Sequence, residues 1–328
     1  MSDRFRPGEI GQQHQVAAIS HPGTGVGARG LAGFLNLHKP AGPTSHDLVA
    51  LVRRLAGIRR VGHAGTLDPL ASGVLVLALG QATRLLEYVV SGRKVYRATI
   101  RLGVSTSTDD REGETIATHS VAVSEADIRA SLCQFVGTIA QRPPAFSAVQ
   151  VQGHRAYNLA RHGVAVELTP RQVQVYRIIL LTWQPPYLDL EVECGPGTYI
   201  RALARDLGAA LGCGGHLAAL VRTRSGRFHI EEAVSPEAFE AQVQAQTWAS
   251  LLMECRRALE HLPTLRVTAD ESRRLRQGQH IAARSQGADG DGPSTGKPVS
   301  AIGPAGELVA IVHYEQEGAR WRPHKVVG

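Results

Sequence analysis

The sequence predicts an α+β protein on a mixed, largely antiparallel sheet, followed by a small β-rich module. Helical and strand-like periodicities are mixed along the chain without regular alternation, and several strands lie close enough in sequence to pair as hairpins. Its 328 residues suffice for two domains. Near residue 262 the pattern changes to short strands, so we predict a main domain over residues 33–260 and the smaller module over residues 261–328.

Residues 1–32 contain many glycine, glutamine and small side chains and show no sustained period, so we expect a flexible N-terminal extension. A G-x-G-x-x-G string lies within it, from Gly25 to Gly30. A dinucleotide-binding fingerprint requires a strand directly before the string, whereas His21 and Pro22 stand there. We therefore assign no nucleotide site to this segment.

Strands and helices are recognisable from residue 33 onward. A strand over residues 33–39 leads to a helix that Thr44 or Ser45 caps and that Gly57 ends, since Ser and Thr favour the N-cap and Gly the left-handed position after a helix. The next predicted elements are a strand over Val74–Leu79, a helix over Ala82–Val90 and a strand over Lys94–Leu102. Alternation in the last strand predicts two faces, one with Tyr96, Ala98, Ile100 and Leu102, the other with Val95, Arg97, Thr99 and Arg101.

A polar loop, STSTDDREGE, follows that strand. The elements predicted after it are a helix from Ser124 to about Val136, a strand over Phe146–Val151, a short helix over Ala156–His162, and strands over Gln172–Trp183 and Leu188–Cys194. We predict that Thr198 caps a helix reaching Leu211, with Tyr199 and Arg201 in its first turn. The C-terminal module is predicted to contain one helix, Glu271–Gln277, and a mobile low-complexity loop over residues 285–298.

Composition narrows the function classes. Apolar residues make up 43% of the chain, but the longest apolar run, over residues 74–79, is far shorter than the roughly 20 residues of a membrane-spanning helix. The N-terminus lacks the apolar core of a signal peptide, so we expect a cytoplasmic protein. The four cysteines form no C-x-x-C pair, which argues against a zinc site or a disulfide framework and favours buried free thiols.

Positive charge is concentrated in one part of the chain. Residues 34–101 contain ten basic and three acidic side chains. Their net charge of +7 equals that of the whole chain. Such an excess is typical of a surface that binds a polyanion, since each neutralised phosphate releases counterions. A solvated basic face would have the same composition, so charge alone leaves both interpretations open.

One loop within this basic region has the form of a catalytic segment. Residues 62–73 read GHAGTLDPLASG, in which Pro69 forces Asp68 into an extended or turn conformation and the glycines allow close approach of backbone or ligand. An aspartate in basic surroundings stays ionised, as an oxygen nucleophile or a general base must. An Asp-Pro turn before a strand is also common without any catalytic role.

Several sequence blocks in the same order resemble the TruB-type tRNA pseudouridine synthases. They are KPAGPTSHD from residue 39, GHAGTLDPLASGVL from 62, KVYRATIRLG from 94, RPPAFSAVQVQGHRAYNLAR from 142, CGPGTYIRALARDLG from 194 and GCGGHLAALVRTRSG from 212. Together they span residues 34 to about 230. The C-terminal segment is similar to a small RNA-binding PUA-type module with an internal insertion.

The resemblance implies that a uridine in the T loop of tRNA, at standard position 55, is converted to pseudouridine without a metal or a redox cofactor. Asp68 matches the essential aspartate of the family, Tyr96 the tyrosine beside the target base, and Arg201 the arginine that pairs with the aspartate. A cation in the first turn of a helix opposes the helix dipole, so helix stability does not explain Arg201. A structural tyrosine packed on the core would give the same strand pattern as Tyr96.

Further matches imply substrate contacts. His63 matches a histidine that fills the space left by the extruded nucleotide, Tyr199 a support of the base pocket, and Leu220 a leucine packed beside the base. Ordinary core packing of His63 and Leu220 remains an alternative. The basic segment from Lys39 through Arg59 and Arg60 is expected to contact phosphates.

Three functions remain in competition. A stand-alone tRNA synthase, expected to be a monomer, is favoured because the residues of the proposed chemistry are present. A non-catalytic RNA-binding or tRNA-folding protein would not need a carboxylate in a phosphate-binding cleft. An RNA-guided synthase would depend on guide RNA and protein partners. A zinc deaminase is excluded, because no H-x-E with P-C-x-x-C is present.

Overall fold

The computed structural model describes residues 31–146, 150–151, 154–155, 168–283 and 295–327. The helices are α1 Ser45–Ala56, α2 Leu86–Val90, α3 Glu125–Leu132, α4 Ile200–Ala210, α5 Pro236–Gln244, α6 Cys255–Ala258 and α7 Ala269–Arg276. The strands of the main domain are β1 Gly33–Lys39, β2 Val61–His63, β3 Ala71–Leu79, β4 Lys94–Leu102, β5 Val104–Thr106, β6 Thr115–Thr118, β7 Gly137–Gln141, β8 Gln150–Val151, β9 His154–Arg155, β10 Arg171–Gln184, β11 Tyr187–Cys194, β12 Gly215–Ser225, β13 Phe228–His229 and β14 Leu252–Met253. Those of the C-terminal module are β15 Thr264–Arg266, β16 Ile281–Ala282, β17 Pro298–Ile302, β18 Leu308–Glu315 and β19 Arg320–Val326.

A ten-stranded sheet organises the main domain. Eight strands follow the order β14-β1-β3-β12-β4-β11-β10-β7, while β2 adds to β3 and β13 adds to β12. All of these pairings are antiparallel except β12 with β3. The predicted α+β fold on a largely antiparallel sheet is therefore confirmed.

Strand β4 has the two faces that its alternation predicts. Tyr96, Ala98, Ile100 and Leu102 are buried, and they pack in one cluster with Ile128 of α3 and with Leu203 and Leu207 of α4. Arg97 on the other face is exposed. Helices α3 and α4 thus cover one face of this part of the sheet, because apolar side chains gain by leaving water together.

Helix α1 begins and ends as predicted. Thr44 is its N-cap, and a capping box joins the Thr44 and Asp47 side chains to each other's backbone N–H. Gly57 ends the helix at φ 65°, in the left-handed region. The buried face of α1, with Leu48 and Val52, packs against β3.

Some predicted elements differ from the structure. The predicted helix over residues 82–90 is a 3-10 helix over residues 80–85 followed by α2, and α3 ends at residue 132 in a 3-10 turn. The polar loop after β4 connects the β5–β6 hairpin. The predicted strand over residues 146–151 is limited to β8 among the described residues, and the predicted helix over residues 156–162 lies outside them, as do residues 1–30.

The start of α4 corrects another prediction. Tyr199, rather than Thr198, is the N-cap, and its side chain makes no capping bond. Gln141 of β7 instead makes the hydrogen bonds at the start of α4. Its Oε1 accepts from Tyr199 N at 2.8 Å, and its Nε2 donates to Tyr199 O at 3.0 Å. A residue distant in sequence therefore fixes the start of α4, and Arg201 lies in the first turn as expected.

The C-terminal module forms a separate five-stranded sheet in the order β15-β17-β18-β19-β16. Its helix α7 begins at residue 269 with Thr268 as N-cap, two residues before the predicted start. Thr295 bridges to Tyr314, and Pro298 already belongs to β17, so the predicted loop over residues 285–298 extends too far; residues 284–294 lie outside the described part. Ile302, Leu308 and Ile311 pack into a cluster with side chains of the main domain.

The cysteine prediction holds for three of four residues. Cys194, Cys213 and Cys255 are buried free thiols, whereas Cys133 is exposed where α3 ends. Burial raises the pKa of the Cys194 thiol to about 11. Among the described residues, no helix is long and apolar enough to cross a membrane.

Candidate active site

The loop that carries Asp68 connects β2 to β3 and is held by neighbouring backbone and side chains. Ser45, the first residue of α1, donates from Oγ to Leu67 O at 3.1 Å and accepts from Leu67 N at 2.9 Å. Gly42 N donates to Pro69 O at 2.8 Å. The residues on both sides of Asp68 are therefore fixed, as the Asp-Pro sequence predicts.

Lys39 supports this loop from the interior of the protein. Its side chain is fully buried, and Nζ donates to Ala71 O at 2.7 Å, Pro40 O at 3.0 Å and Pro69 O at 3.2 Å. Burial lowers its pKa to about 8, against the raising effect of Asp68. The prediction that Lys39 contacts phosphate is wrong, because all three ammonium hydrogens are engaged inside the protein.

Arg201 and Asp68 form an ion pair at the surface of this core. Arg201 Nε lies 3.0 Å from Asp68 Oδ2, with the arginine side chain 6% and the aspartate side chain 37% exposed. The Nε–H is not aligned for a hydrogen bond to any described residue, so the contact is electrostatic. A buried guanidinium thus lies against a carboxylate that remains open to a substrate.

A second carboxylate shares the same arginine. Asp110, in the hairpin loop between β5 and β6, is buried and lies 3.4 Å from Arg201 Nη1 through its Oδ2. Its Oδ1 accepts from Thr108 Oγ1 at 2.5 Å and from Glu112 N at 3.0 Å. Arg201 also donates to the carbonyls of Thr108 and Phe146. No sequence pattern indicated Asp110, which stands in a polar loop without periodicity.

The neighbouring arginine of α4 ties down the same loop. Arg205 Nη1 donates to Asp109 Oδ2 at 2.9 Å, and Asp109 has a positive φ of 60°. Arg205 also pairs with Asp206 and donates to the carbonyl of Arg142. The adjacent Asp109 and Asp110 therefore face two successive arginines on one helix face, which holds the β5–β6 loop beside Asp68.

Tyr96 and Leu220 lie in the sheet next to the Asp68 loop. Each is 7% exposed, and both belong to the buried cluster that includes Leu67 and Leu70. Leu220 of β12 stands opposite Ala98 of β4 and opposite residue 71 of β3. Burial, as the largest effect, raises the pKa of the Tyr96 phenol above its usual value, so Tyr96 is neutral at pH 7.

His63 is the last residue of β2, just before the loop. His63, in β2, is partly buried, and its ring makes an edge contact with His46 at 5.3 Å between centroids. Burial, followed by His46 and Arg222, lowers the His63 pKa, which favours the neutral ring. Arg59 and Arg60 are exposed beyond α1, and Tyr199 is partly buried at the start of α4.

Arg222 is a buried residue of the site that the sequence did not predict. It is 1% exposed and donates to Val74 O at 2.7 Å, Gly65 O at 3.0 Å and Thr66 O at 3.4 Å. Arginines are usually exposed, so no sequence pattern indicated a buried one here. Within the described part of the chain, no group of three or more His, Cys, Asp or Glu side chains is arranged to hold a metal ion.

A groove on the other face of the sheet is separate from this site. It is lined by polar and apolar side chains of β4, β10, β11 and β12, including Arg97, Thr99, Asp189 and Glu191. No residue predicted for the active site lines it. Its charged side chains are typical of the solvated face of an antiparallel sheet.

Comparison with known proteins agrees with the order of the sequence blocks. The model of the TruB family pseudouridylate synthase N-terminal domain matches residues 53–200. The tRNA pseudouridylate synthase B C-terminal domain matches residues 201–262, and the C-terminal domain of tRNA pseudouridine synthase II matches residues 262–328.

Individual relatives extend this likeness over most of the chain. A tRNA pseudouridine synthase B from Gloeobacter violaceus is 48% identical over 263 residues, which cover 79% of this chain and 89% of the relative. One from Leifsonia xyli subsp. xyli is 45% identical over 300 residues, covering 88% of this chain and 95% of the relative. A solved H/ACA RNP bound to a substrate RNA containing 2′-deoxyuridine is similar with a TM-score of 0.72 and 27% identity, over 90% of this chain and 85% of that chain. By these matches, the chain belongs to the TruB family of pseudouridylate synthases.

Proposed function

We propose that this protein isomerises the uridine at position 55 of the tRNA T loop to pseudouridine. The observation that carries the proposal is the open Asp68 carboxylate paired with buried Arg201, beside Tyr96 and Leu220. The named activity of its relatives, tRNA pseudouridine synthase B, supports the same assignment.

The reaction requires an ionised oxygen near the ribose. The bond between C1′ and N1 breaks, the uracil turns, C5 bonds to C1′, and the proton on C5 moves to solvent while N1 regains one. Asp68 serves this chemistry either by attacking C1′ or by removing a proton from C2′ to form a glycal, and both roles need the carboxylate form. Arg201 Nε, 3.0 Å from Asp68 Oδ2, holds that carboxylate in place. Isotope substitution at C2′ separates the two routes, because only the glycal route breaks a C2′–H bond.

Tyr96 is the proposed partner of the base. Its neutral phenol lies in the apolar cluster with Leu220, a setting that suits packing on an extruded uracil. Extrusion of a stacked nucleotide costs a few kcal/mol, which contacts in the pocket must offset. After rotation of the base, Tyr96 accepts the proton from C5 while it passes its own phenolic proton to Asp68 or to a water, so that the phenol stays neutral. His63, held neutral at the edge of the site, occupies space vacated in the T loop.

Exposed basic side chains are proposed to bind the RNA backbone. Arg59 and Arg60 lie in the solvent just before β2, which leads directly to the Asp68 loop. A folded T arm is recognised largely by shape and phosphate contacts, so these arginines position the tRNA without reading its sequence. We further propose that the C-terminal module contacts the same tRNA and that binding assists tRNA folding.

We propose that the enzyme acts alone, as a monomer, without guide RNA. Identity with tRNA pseudouridine synthase B relatives is 45–48%, against 27% for the H/ACA RNP chain. An RNA-guided synthase would instead need an added guide RNA and protein partners for activity.

The test uses purified protein and an unmodified tRNA transcript. We expect stoichiometric pseudouridine at position 55 with protein and tRNA alone, and none in a matched transcript with cytidine at that position. Conversion that appears only after addition of a cell extract would support a partner-dependent synthase. Tight tRNA binding with no conversion under either condition would support a tRNA-folding protein and overturn the proposal.

A further inference from the structure

Arg222 is a buried cation without a carboxylate partner among the described residues. Its guanidinium donates to the main-chain carbonyls of Gly65, Thr66 and Val74, and it also lies within hydrogen-bond reach of the Tyr96 phenol. A buried charge is costly, and apolar side chains of similar size often stabilise a core at least as well. The position therefore retains an arginine at an energetic cost that packing alone does not explain.

The three carbonyls bracket the loop of Asp68. Gly65 and Thr66 precede Asp68, and Val74 follows it in β3. The main chain is equally close, since a Cβ on Gly73 would lie 2.3 Å from Arg222 O. One side chain and its own backbone thus hold both ends of the loop, and the fork of the guanidinium suits several acceptors at fixed angles.

The same arginine lies beside Tyr96. In the antiparallel pairing of β12 with β4, Arg222 is directly opposite Tyr96. Directly opposite residues place their side chains on one face, with Cβ atoms roughly 4.5–5.5 Å apart. The charged or titratable groups that act on the Tyr96 phenol are Arg222, Cys194 and Asp68, and of these Arg222 opposes the effect of burial on its pKa. Arg222 therefore lies against Tyr96 and against the loop that carries Asp68.

We propose that Arg222 is a positioning residue that locks the Asp68 loop and Tyr96 into one fixed relation, so that both groups act on the same nucleotide. This inference rests on the proposed isomerase function. Asp68 must approach the ribose while Tyr96 packs on the base, and these two parts of a nucleotide move relative to each other during the reaction. A rigid link between the two protein groups keeps the reacting atoms aligned while the base turns.

The variants Arg222→Met and Arg222→Lys separate positioning from packing. Methionine keeps an unbranched chain but removes every donor, while lysine keeps a charge and donates to fewer of the carbonyls. Arg224→Gln is the matched control, since Arg224 lies two residues along β12 and pairs with Glu193 on the far face of the sheet. Each variant is assayed for thermal unfolding, tRNA affinity, kcat and KM at a temperature where it is folded.

We expect Arg222→Met to lower kcat about 100-fold, the scale of a small misplacement of reacting groups, with KM within about threefold of the wild type. Arg222→Lys should recover about tenfold of that loss and stay below the wild type, and Arg224→Gln should match the wild type. Faster amide hydrogen exchange over residues 65–73 in Arg222→Met, but not in Arg224→Gln, should accompany the lower kcat.

A folded Arg222→Met protein with wild-type kcat would overturn the inference. Equal losses in the Met and Lys variants that track the unfolded fraction would also overturn it, as they would assign Arg222 a purely structural role. If Arg222→Met does not fold, Arg222→Lys decides, since a wild-type kcat there contradicts the inference and a lower kcat at unchanged KM supports it. Absence of pseudouridine with the wild type is a different result, because it removes the proposed function itself.

Discussion

Arg201 Nε lies 3.0 Å from Asp68 Oδ2, joining a buried guanidinium to a carboxylate whose side chain is 37% exposed. The arginine is itself fixed from behind by Asp110 and by two main-chain carbonyls. The guanidinium is therefore held inside the protein, whereas the carboxylate faces solvent. This arrangement presents a fixed carboxylate at the surface where we propose that the RNA binds.

Replacing Arg201, which contacts both Asp68 and Asp110, should reduce the catalytic rate more than the affinity for tRNA. Arg201→Lys keeps the charge but cannot contact Asp68 and Asp110 at once with fixed donors, so we expect kcat to fall about 10- to 100-fold. Asp110→Asn should have a smaller effect in the same direction. Single-turnover kinetics and filter binding of tRNA measure both quantities. A fall in affinity that accounts for the whole loss would contradict this role.

Ser45 and Thr44 are adjacent but should differ in function. Ser45→Ala removes two buried hydrogen bonds to Leu67 and should cost about 1–3 kcal/mol of unfolding free energy together with catalytic rate, because Leu67 precedes Asp68. Thr44→Ala removes the exposed cap of α1 and should cost about 1 kcal/mol with little change in rate. Urea unfolding and single-turnover assays compare the two. Equal effects on the rate would exclude a specific link between Ser45 and the loop.

Two glycines with positive φ should respond differently to alanine. Gly57 at φ 65° has open space where a Cβ would stand, so Gly57→Ala should cost only about 1–2 kcal/mol for the backbone conformation. Gly73 at φ 100° would place its Cβ 2.3 Å from Arg222 O, so β3 and β12 would have to separate. We expect Gly73→Ala to exceed the cost of Gly57→Ala by about 2 kcal/mol or more in urea unfolding. Similar midpoints for the two variants would disprove this close strand contact.

Lys94 should make stability depend on pH in the alkaline range. It is buried and donates to Val90 O and Gly92 O, and burial, followed by Arg222, lowers its pKa from 10.5 to about 8. Between pH 8 and pH 10.5 the unfolded chain binds more protons at this residue than the native protein. The contribution of Lys94 to the unfolding free energy therefore rises with pH across this window, and it falls as the pH is lowered to 8.

Comparison with Lys94→Met isolates this contribution, because other titrating groups are common to both proteins. The difference in unfolding free energy, wild type minus variant, should increase from pH 8 to pH 10.5 by up to about 3 kcal/mol. Denaturant unfolding at four pH values across the window measures it. A difference that stays constant with pH would mean that native Lys94 titrates as it does in the unfolded chain.

Local signals accounted for much of the fold. Thr44 and Gly57 marked the ends of α1, and strict alternation in β4 identified its buried face with Tyr96. The sequence pattern did not predict strand β12, because two register shifts, at residues 217–219 and 222–224, interrupt its alternation. The N-cap of α4 was misassigned because its hydrogen-bond partner, Gln141, is remote in sequence.

The site was predictable where a residue's local sequence constrains it. Asp68 stood out through the proline after it and the glycines around it. Lys39 was predicted to contact phosphate and Arg222 had no predicted role, because charged side chains normally remain in water and only the assembled sheet supplies the carbonyls that accept their hydrogens. Asp110 likewise acquires its role only when α4 places Arg201 against the β5–β6 loop.

The most direct test of the account compares Asp68→Asn with the wild type on unmodified tRNA. Asparagine preserves the shape of the side chain but cannot act as an anion, and Asp189→Asn, on the opposite face of the sheet, is the matched control. We predict at least an about 1,000-fold lower single-turnover rate for Asp68→Asn, with tRNA affinity within about threefold, and wild-type behaviour for the control. An Asp68→Asn protein that forms pseudouridine at the wild-type rate would contradict the central claim that this carboxylate carries the reaction.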